Sequence, residues 1–577
     1  MNPSSLLTIV IAVGLIVVLL SLVRSYIQLR PLPTPSAQMI PRMAEDFGPR
    51  VTSRRLAYVG LCFALLFLVA LGFHLYWAVF ASGPLRFETS YTDLRNREDN
   101  RRRRESESTL RGWIFDRHHD ADHTLARYRY LNGKVFREYQ LGEAAVHLTG
   151  YSNLLYEDVL LEKAINLPFE RDGETTFFTR LATLAREPEL PVVGIDLVTT
   201  IDLELQREAY AQLRSRRGAV VVINPQNGQL LALASSPGFD PDSSRLTSRW
   251  EELNSDRIER PLHNRAIFGR YSPGSTFKTL VATAAIESQL DRKVFTCRAD
   301  GWVPPGASRP IRDDNGESHG QVDLSEALVH SCNQYFAQMG VELSYQRMGE
   351  AAHRFGFDLF TEPGPSRKAT LRDQFWNVAN PAISSVLAPV RSSFVAGPKV
   401  VRYDLALESI GQGFVQATPL QMALVAAAVA NRNGQLMQPS IELNRPPVVM
   451  GQVMSATTAT RVRSLMAQVV RRGTASSTLP PILGDLVTAG GKTGTAQREV
   501  LLRDPRTGEP LKYTDKQGKI NLRKEMQIDS WFIGFAPVEN PQIAFAVFVE
   551  NGGYGAATSA PIAGRLILQA RQSGLIR

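Results

Sequence analysis

The sequence predicts an α/β (α+β) chain with a main domain whose one sheet is assembled from both ends and flanked by helices. A small α+β module precedes it, and a two-helix transmembrane hairpin opens the chain. Three observations carry this. Two uncharged apolar runs lie within the first 81 residues. β-Rich runs flank a turn at 218–236 and recur only after about residue 487, three of them followed by a closing helix. Between those ends the apolar residues recur mainly at helical spacing.

Residues 6–23, "LLTIVIAVGLIVVLLSLV", carry no charge and as a helix would span roughly 27 Å, close to a bilayer's hydrocarbon thickness. The preceding "MNPSS" lacks the basic residues of a secretory leader. The second run, Leu56 to Ala81, has only His74 as an ionisable group outside its single thiol and tyrosines, and it carries Tyr76 and Trp77 near its end. The loop between holds Arg24, Arg30, Arg42, Arg50, Arg54 and Arg55 against Glu45 and Asp46, which predicts a cytoplasmic loop and an extracytoplasmic remainder. Arg86, Arg95, Arg97 and Arg101 to Arg104 follow the second span, but long translocated domains are less sensitive to such charges. The expected organisation is a hairpin over 1–82 (spans about 6–23 and 56–81, cytoplasmic loop 24–55), a linker and module over 83–212, and the main domain over 213–577.

At 577 residues two or three domains are expected. The 44% hydrophobic and 21% charged content is that of a folded protein. The net charge of +9 is spread rather than concentrated in a nucleic-acid stripe, and much of it sits near the expected membrane segments. "RNREDNRRRRESES" reads as a solvated linker, with contact to anionic lipid or wall polymer as the other option. Of three cysteines, Cys62 falls in a span. Cys297 and Cys332 either pair or remain free, and the reading favours free, buried thiols.

The module mixes short strands such as "RGWIFDR" with the helical "IDLELQREAYAQLRS". Its "HHDADH" at 118–123 reads as a polar turn, because no companion set of metal ligands follows. In the main domain, "GAVVVINPQNGQLLALAS" is a hairpin signal. In "YSPGSTFKTLVATAAIES", Ser275 and Lys278 share one face at the head of a helix whose Phe277, Leu280, Val281, Ala284 and Ala285 face a core. Ser331-Cys332-Asn333 falls where a helix begun by Asp323 and Glu326, at capping-box spacing, gives out. Lys492-Thr493-Gly494-Thr495 lies in a Gly-rich strand whose backbone is open to something lying alongside. Each motif is common alone; the ordered set is not.

With these motifs and flanks such as "NRAIFGRYSPGSTFK", "ALVHSCNQYF", "SIGQGFVQATPLQMA" and "WFIGFAPVENPQIAFAVFVENGG", the chain from about Arg111 onward resembles the class B penicillin-binding proteins, monofunctional D,D-transpeptidases. Within them it is most similar to the short penicillin-binding protein A type. The resemblance implies a serine β-lactamase/transpeptidase-like domain with an antiparallel five-stranded sheet, preceded by a non-catalytic pedestal. It implies that Ser275 is acylated by a D-Ala-D-Ala terminus and by β-lactam antibiotics, and that peptidoglycan stem peptides are then cross-linked. A serine hydroxyl needs a base, and Lys278, desolvated and near Lys492, is suited to accept its proton. By resemblance the backbone N–H groups of Ser275 and Thr495 form the oxyanion hole, Ser331 relays a proton to the leaving amine and Asn333 holds a substrate amide. Thr493, Gly494 and Thr495 line the substrate, with Lys492, Thr493 and Thr495 gripping its terminal carboxylate. No cofactor, metal or nucleic acid is implied. The implied partners are the membrane, a glycosyltransferase of the shape, elongation, division and sporulation (SEDS) family, and other division or elongation proteins. The implied site is the inner (cytoplasmic) membrane with a periplasmic catalytic domain.

Bland readings remain for the neighbours. Cys332 packs, Gln412 and Thr418 shape a turn and a helix start, and 498–528 is a solvated insertion. A serine β-lactamase would need a deacylating Glu-x-x-Leu-Asn, and the nearest string, "SIELN", has Ser440 in that glutamate's place. A β-lactam sensor would need a cytoplasmic protease, for which the loop has no room. A non-catalytic wall or division scaffold is disfavoured by the intact motifs.

Overall fold

The computed structural model describes residues 109–166, 192–361 and 375–577, apart from 132–133, 154, 195, 214–215, 505–506 and 516, together with Phe63, Leu66, Phe67, Val69 and Ala70. The chain divides into two units, Met1–Glu98 and Asp99–Arg577. In the first, those five residues are helical. Among the described residues no helix is long and apolar enough to cross a membrane. The two expected spans, their connecting loop and the arginine run at 101–104 otherwise lie outside the described residues.

The second unit begins with a small four-stranded sheet of β1 (Ile114–Phe115), β2 (Thr124–Leu131), β3 (Lys134–Tyr139) and β4 (Leu197–Val198) in the order β3-β2-β1-β4. Its buried Ile114, Leu125 and Ala126 are continuous with the main core. The buried Glu162 carboxylate binds it together through Arg111 and Arg137. The "HHDADH" stretch forms a turn in which His118 and His123 are engaged by Asp116 and Asp120, the polar arrangement its composition predicts.

The main sheet follows the predicted ends-in assembly. The strands are β5 (Gly218–Ile223), β6 (Leu230–Ser236), β7 (Gly490–Leu501), β8 (Lys524–Ala536) and β9 (Ile543–Val549). They are antiparallel throughout, in the order β7-β8-β9-β5-β6. Unbroken apolar runs such as "GAVVVI" and "IAFAVFV" reflect a sheet covered on both faces. Ala219, Val221 and Ile223 turn to one core with Ile533, Phe535, Ala546 and Phe548. Val220 and Val222 turn to the other with Phe532, Phe545 and Val547. The helices used below are α1 (Leu203–Leu213), α2 (Lys278–Glu287), α3 (Leu324–Val329), α4 (Asn333–Arg354), α5 (Pro419–Ala430), α6 (Ala456–Arg472) and α7 (Ser559–Gln572), among others. Residues of α2, α4, α5 and α6 fill the first core, and those of α1 and α7 the second. Helix α5, "PLQMALVAAAVA", is buried on every side, as an all-round apolar helix must be. Thr418 caps it by accepting from the Gln421 N–H at 3.0 Å, so the structural reading of Thr418 holds.

The 498–528 span is solvent-exposed along most of its length, as expected, and it is also regular. Strands β7 and β8 pair out to Leu501 and Lys524, and a second small hairpin joins Lys512–Thr514 to Ile520–Leu522.

Candidate active site

Ser275 lies in a single 3₁₀ turn, Gly274–Phe277, that runs directly into α2. It is no ordinary N-cap, since neither the 3₁₀ turn nor α2 has a side-chain cap. Gly274 enters the turn with φ of +55°, a conformation costly for residues with a Cβ, and its N–H donates to the Gly411 carbonyl at 2.9 Å. A Cβ on Gly411 would stand 1.9 Å from the Gly274 oxygen. The Gly-rich "SIGQG" segment is therefore the floor on which the nucleophile turn rests.

Helix α2 then places Lys278 in full burial. Its ammonium donates to the Ser331 carbonyl at 2.6 Å, to Asn333 Oδ1 at 2.6 Å and to Ser331 Oγ at 3.4 Å. Lys492 is equally buried and donates to the same Ser331 Oγ at 2.9 Å. One hydroxyl thus stands between two amines. Burial pushes Lys278 down to about 8, partly offset by the negative field of Asp313. Burial, then repulsion from Lys278, holds Lys492 well below its ordinary range. The site is built to keep an amine neutral near physiological pH.

Ser331 reaches this position because α3 ends before it and its own φ is +59°. Asp323 caps α3 by accepting from the Glu326 N–H at 2.9 Å, half of the expected capping box. Asn333 starts α4, with Cys332 at the N-cap. On the strand side, Thr493 Oγ1 pairs with Thr474 Oγ1 at 2.6 Å. A Cβ on Gly274 would lie 2.7 Å from the Thr495 oxygen, and one on Gly494 2.7 Å from Thr276 Cγ2. The first residue of β7's motif meets Ser331 and the last two lie against the Ser275 turn. The three motifs are thus brought together: Lys278, Asn333 and Lys492 around Ser331, and the Lys492–Thr495 strand against the Ser275 turn.

Sequence reasoning missed Asp313. Its buried carboxylate accepts from the Asn333 N–H, from Gln334 Nε2 at 3.0 Å, and from the thiols of Cys297 at 3.1 Å and Cys332 at 3.6 Å. It holds the start of α4 and supplies the leading negative field felt by Lys278. Cys297 and Cys332 are free and buried, and burial raises both thiols, which fits packing rather than nucleophilic roles. With Asp313 and His319 they offer four ligand atoms within 4.8 Å of one another, a sulfur, imidazole and carboxylate set of the kind that suits zinc. The spacing 297, 313, 319, 332 matches no compact motif, so only the fold brings these donors together.

Behind the nucleophile turn, Glu550 joins three elements. It accepts from Arg265 Nε at 2.8 Å and Tyr271 Oη at 3.0 Å and lies 3.8 Å from Arg498. Burial raises the Glu550 carboxyl, but Arg265 and Arg498 outweigh it and hold it below the usual range. Arg265 is 1% exposed, so Glu550→Ala strands a buried guanidinium. The expected loss is about 3–5 kcal/mol of stability, read as a lower denaturation midpoint. Unchanged stability would show that the ion pair is dispensable.

A profile of the penicillin binding protein transpeptidase domain matches residues 218–568. The peptidoglycan D,D-transpeptidase PbpA of Mycolicibacterium smegmatis is 30% identical over 478 residues, 78% of this chain and 86% of that protein. MrdA of Acinetobacter baumannii is 30% identical over 394 residues, 64% of this chain but only 53% of that protein. Penicillin-binding protein A of M. tuberculosis, solved as its penicillin G acyl-enzyme complex, superposes with a TM-score of 0.62 at 27% identity, covering 81% of this chain and all of that one. Five antiparallel strands between two helical layers, a Ser/Lys turn against a Lys-Thr-Gly strand and a family profile over most of the chain agree on one conclusion: this chain belongs to the penicillin-binding protein transpeptidase family.

Proposed function

We propose that this chain is a peptidoglycan D,D-transpeptidase that cross-links stem peptides through a serine acyl-enzyme and is acylated at Ser275 by β-lactams. The observation that carries the reading is the convergence of Lys278 and Lys492 on Ser331 Oγ beside the turn that bears Ser275. Neutral Lys278 takes the Ser275 proton as Oγ attacks the carbonyl of the penultimate D-alanine. The N–H groups of Ser275 and Thr495 hold the developing oxyanion. Ser331 passes the proton to the departing amine as the C–N bond breaks, while Lys492, Thr493 and Thr495 hold the terminal carboxylate and Asn333 a substrate amide. An acceptor amine then attacks the ester carbonyl, Lys278 takes up its proton, and the same proton returns to Ser275 Oγ as the ester C–O bond breaks and the new amide leaves. The lactamase alternative finds no support at Glu442, whose carboxylate is occupied by the backbone N–H groups of Ala379 and Asn380 at 2.5 and 3.2 Å.

The test is incubation with fluorescent penicillin, followed by mass spectrometry of the labelled peptide. The expected label is on Ser275, released slowly because the sequence holds no Glu-x-x-Leu-Asn to supply a deacylating carboxylate. Label elsewhere, or rapid turnover, would refute the reading.

The membrane hairpin, its cytoplasmic loop and a periplasmic catalytic domain belong to the same proposal, supported by the two uncharged runs and the arginine-rich loop between them. A reporter fused after Arg577 is expected to be active only outside the cytoplasm and one near Pro35 only inside it. The opposite pattern would mean that the first run does not span. Since the proposed chemistry only cross-links, the proposed partner is a SEDS-family polymerase that supplies glycan strands, with other division or elongation proteins.

A further inference from the structure

Past the end of strand β7 lies a second concave surface that the acyl-transfer machinery does not use. A cavity of about 510 Å³ is lined by Leu253, Asn254, Asp256, Arg257, Arg260, Leu262, His263 and Arg503. Three arginines thus line it with a single carboxylate-bearing residue, Asp256. That carboxylate is already engaged, since Asp256 Oδ1 accepts from the N–H groups of Ile258 and Glu259 at 2.9 and 2.8 Å. Among the described residues Arg257, Arg260 and Arg503 form no ion pair, although most arginines around them do. Arg503 donates to the Gly508 carbonyl at 2.8 Å.

The cavity is braced rather than loose. Buried Arg265 donates to the carbonyls of Glu259 and Arg260 at 2.6 and 3.4 Å, tying this loop to the Glu550 network behind Ser275. Arg260 itself is held at φ of +50°, a strained backbone that persists where the surroundings fix it. Gly508, just before that inserted hairpin, closes the other side: a Cβ on it would sit 3.6 Å from that of Arg257. Three arginines that line one cavity on a braced loop, with no ion pair among the described residues, suit oxyanions, which guanidiniums bind in bidentate fashion.

Size and position narrow the ligand. A lone phosphate, displacing a few waters of about 30 Å³ each, would leave most of the space empty. The apolar Leu253 and Leu262 and the Asn254 amide suit a peptide better than a bare ion. From Thr495 to Arg503 is eight residues, roughly 26 Å of extended strand, so the cavity lies beyond the terminus held at Lys492–Thr495 yet along the same strand.

We propose that the Arg257–Arg260–Arg503 cavity is a second peptide subsite, which takes the carboxylates of a wall stem peptide other than the one that acylates Ser275. This rests on the transpeptidase reading above.

The test uses the full chain in detergent, with Ser275 first saturated by penicillin G, and a fluorescent tripeptide that carries free carboxylates but no D-Ala-D-Ala end. Anisotropy should show saturable binding. Affinity should fall at least tenfold in Arg257→Glu/Arg260→Glu, in the milder Arg257→Gln/Arg260→Gln and in Arg503→Glu, and for a tripeptide with amidated carboxylates. Each variant should still be acylated by penicillin at the wild-type rate, which reports an intact fold. Absence of saturable binding to the wild type, or equal binding by the variants, would overturn the proposal. So would displacement by an equal concentration of inorganic phosphate, which would mark a simple oxyanion site. A wild-type chain that resists penicillin would refute the transpeptidase reading instead, and peptide binding would still be read from the same anisotropy curve.

Discussion

Lys278→Ala slows acylation of Ser275 by penicillin about 10²–10⁴-fold, the range for removing a positioned general base. The ammonium is fully buried and bonded to Ser331 and Asn333, so some stability is lost as well. A circular dichroism melt separates the two effects. The wild-type rate should carry the lysine's signature in pH. The reactive form is the neutral amine, and burial lowers its pKa to about 8. Acylation therefore rises as pH increases through about 8 and levels off above it, whereas the alanine variant loses that rise. Rapid-mixing kinetics with a chromogenic cephalosporin measures both. A variant that labels at the wild-type rate would require another base.

Gly494→Val is expected to cost nearly as much without removing any reacting group. A Cβ at 494 would stand 2.7 Å from Thr276 Cγ2, 2.9 Å from the Trp531 Cβ and 3.1 Å from the Pro273 oxygen. Thr276 is itself fixed, its hydroxyl donating to the Pro273 carbonyl at 2.6 Å. The strand must therefore move away from the nucleophile turn, and the Thr495 N–H moves with it. Loss of one oxyanion donor costs about 10²–10³ in rate, and that is the slowing expected for acylation. Penicillin labelling at the wild-type rate would show that the strand can absorb the side chain without moving Thr495.

Much of this site is legible in the sequence because the reacting groups sit in short motifs whose local structure is self-determined. Ser275 and Lys278 share a helical face whatever surrounds them, and Lys492 to Thr495 form an extended Gly-rich segment with few alternatives. The sheet was legible because its strands are apolar on both faces and bracket the helical region. What the sequence does not disclose is long-range. Asp313 sits in an irregular segment twenty residues before the Asn333 N–H that it accepts from. Only packing brings Cys297, His319 and Cys332 to it. Gly411 is one of many glycines until Gly274 is seen pressed against it. The 498–528 span is polar enough to read as loop, yet cross-strand pairing, which no single segment displays, carries β7 and β8 into it.

The order of the strands also dictates when this enzyme can exist. Strands β5 and β6 are made early, but β5's other neighbour is β9, which ends at Val549. As the chain emerges, a hairpin with an open, wholly apolar edge waits for more than three hundred residues before that edge is covered. Pairing at such sequence separation is slow to form, and its intermediates are prone to aggregate. Ser275 is likewise synthesised long before the strand that must lie beside it. A nascent chain arrested after Ser275 but before β9 therefore carries the nucleophile without a completed sheet, and is a client for holdase chaperones rather than a weak catalyst.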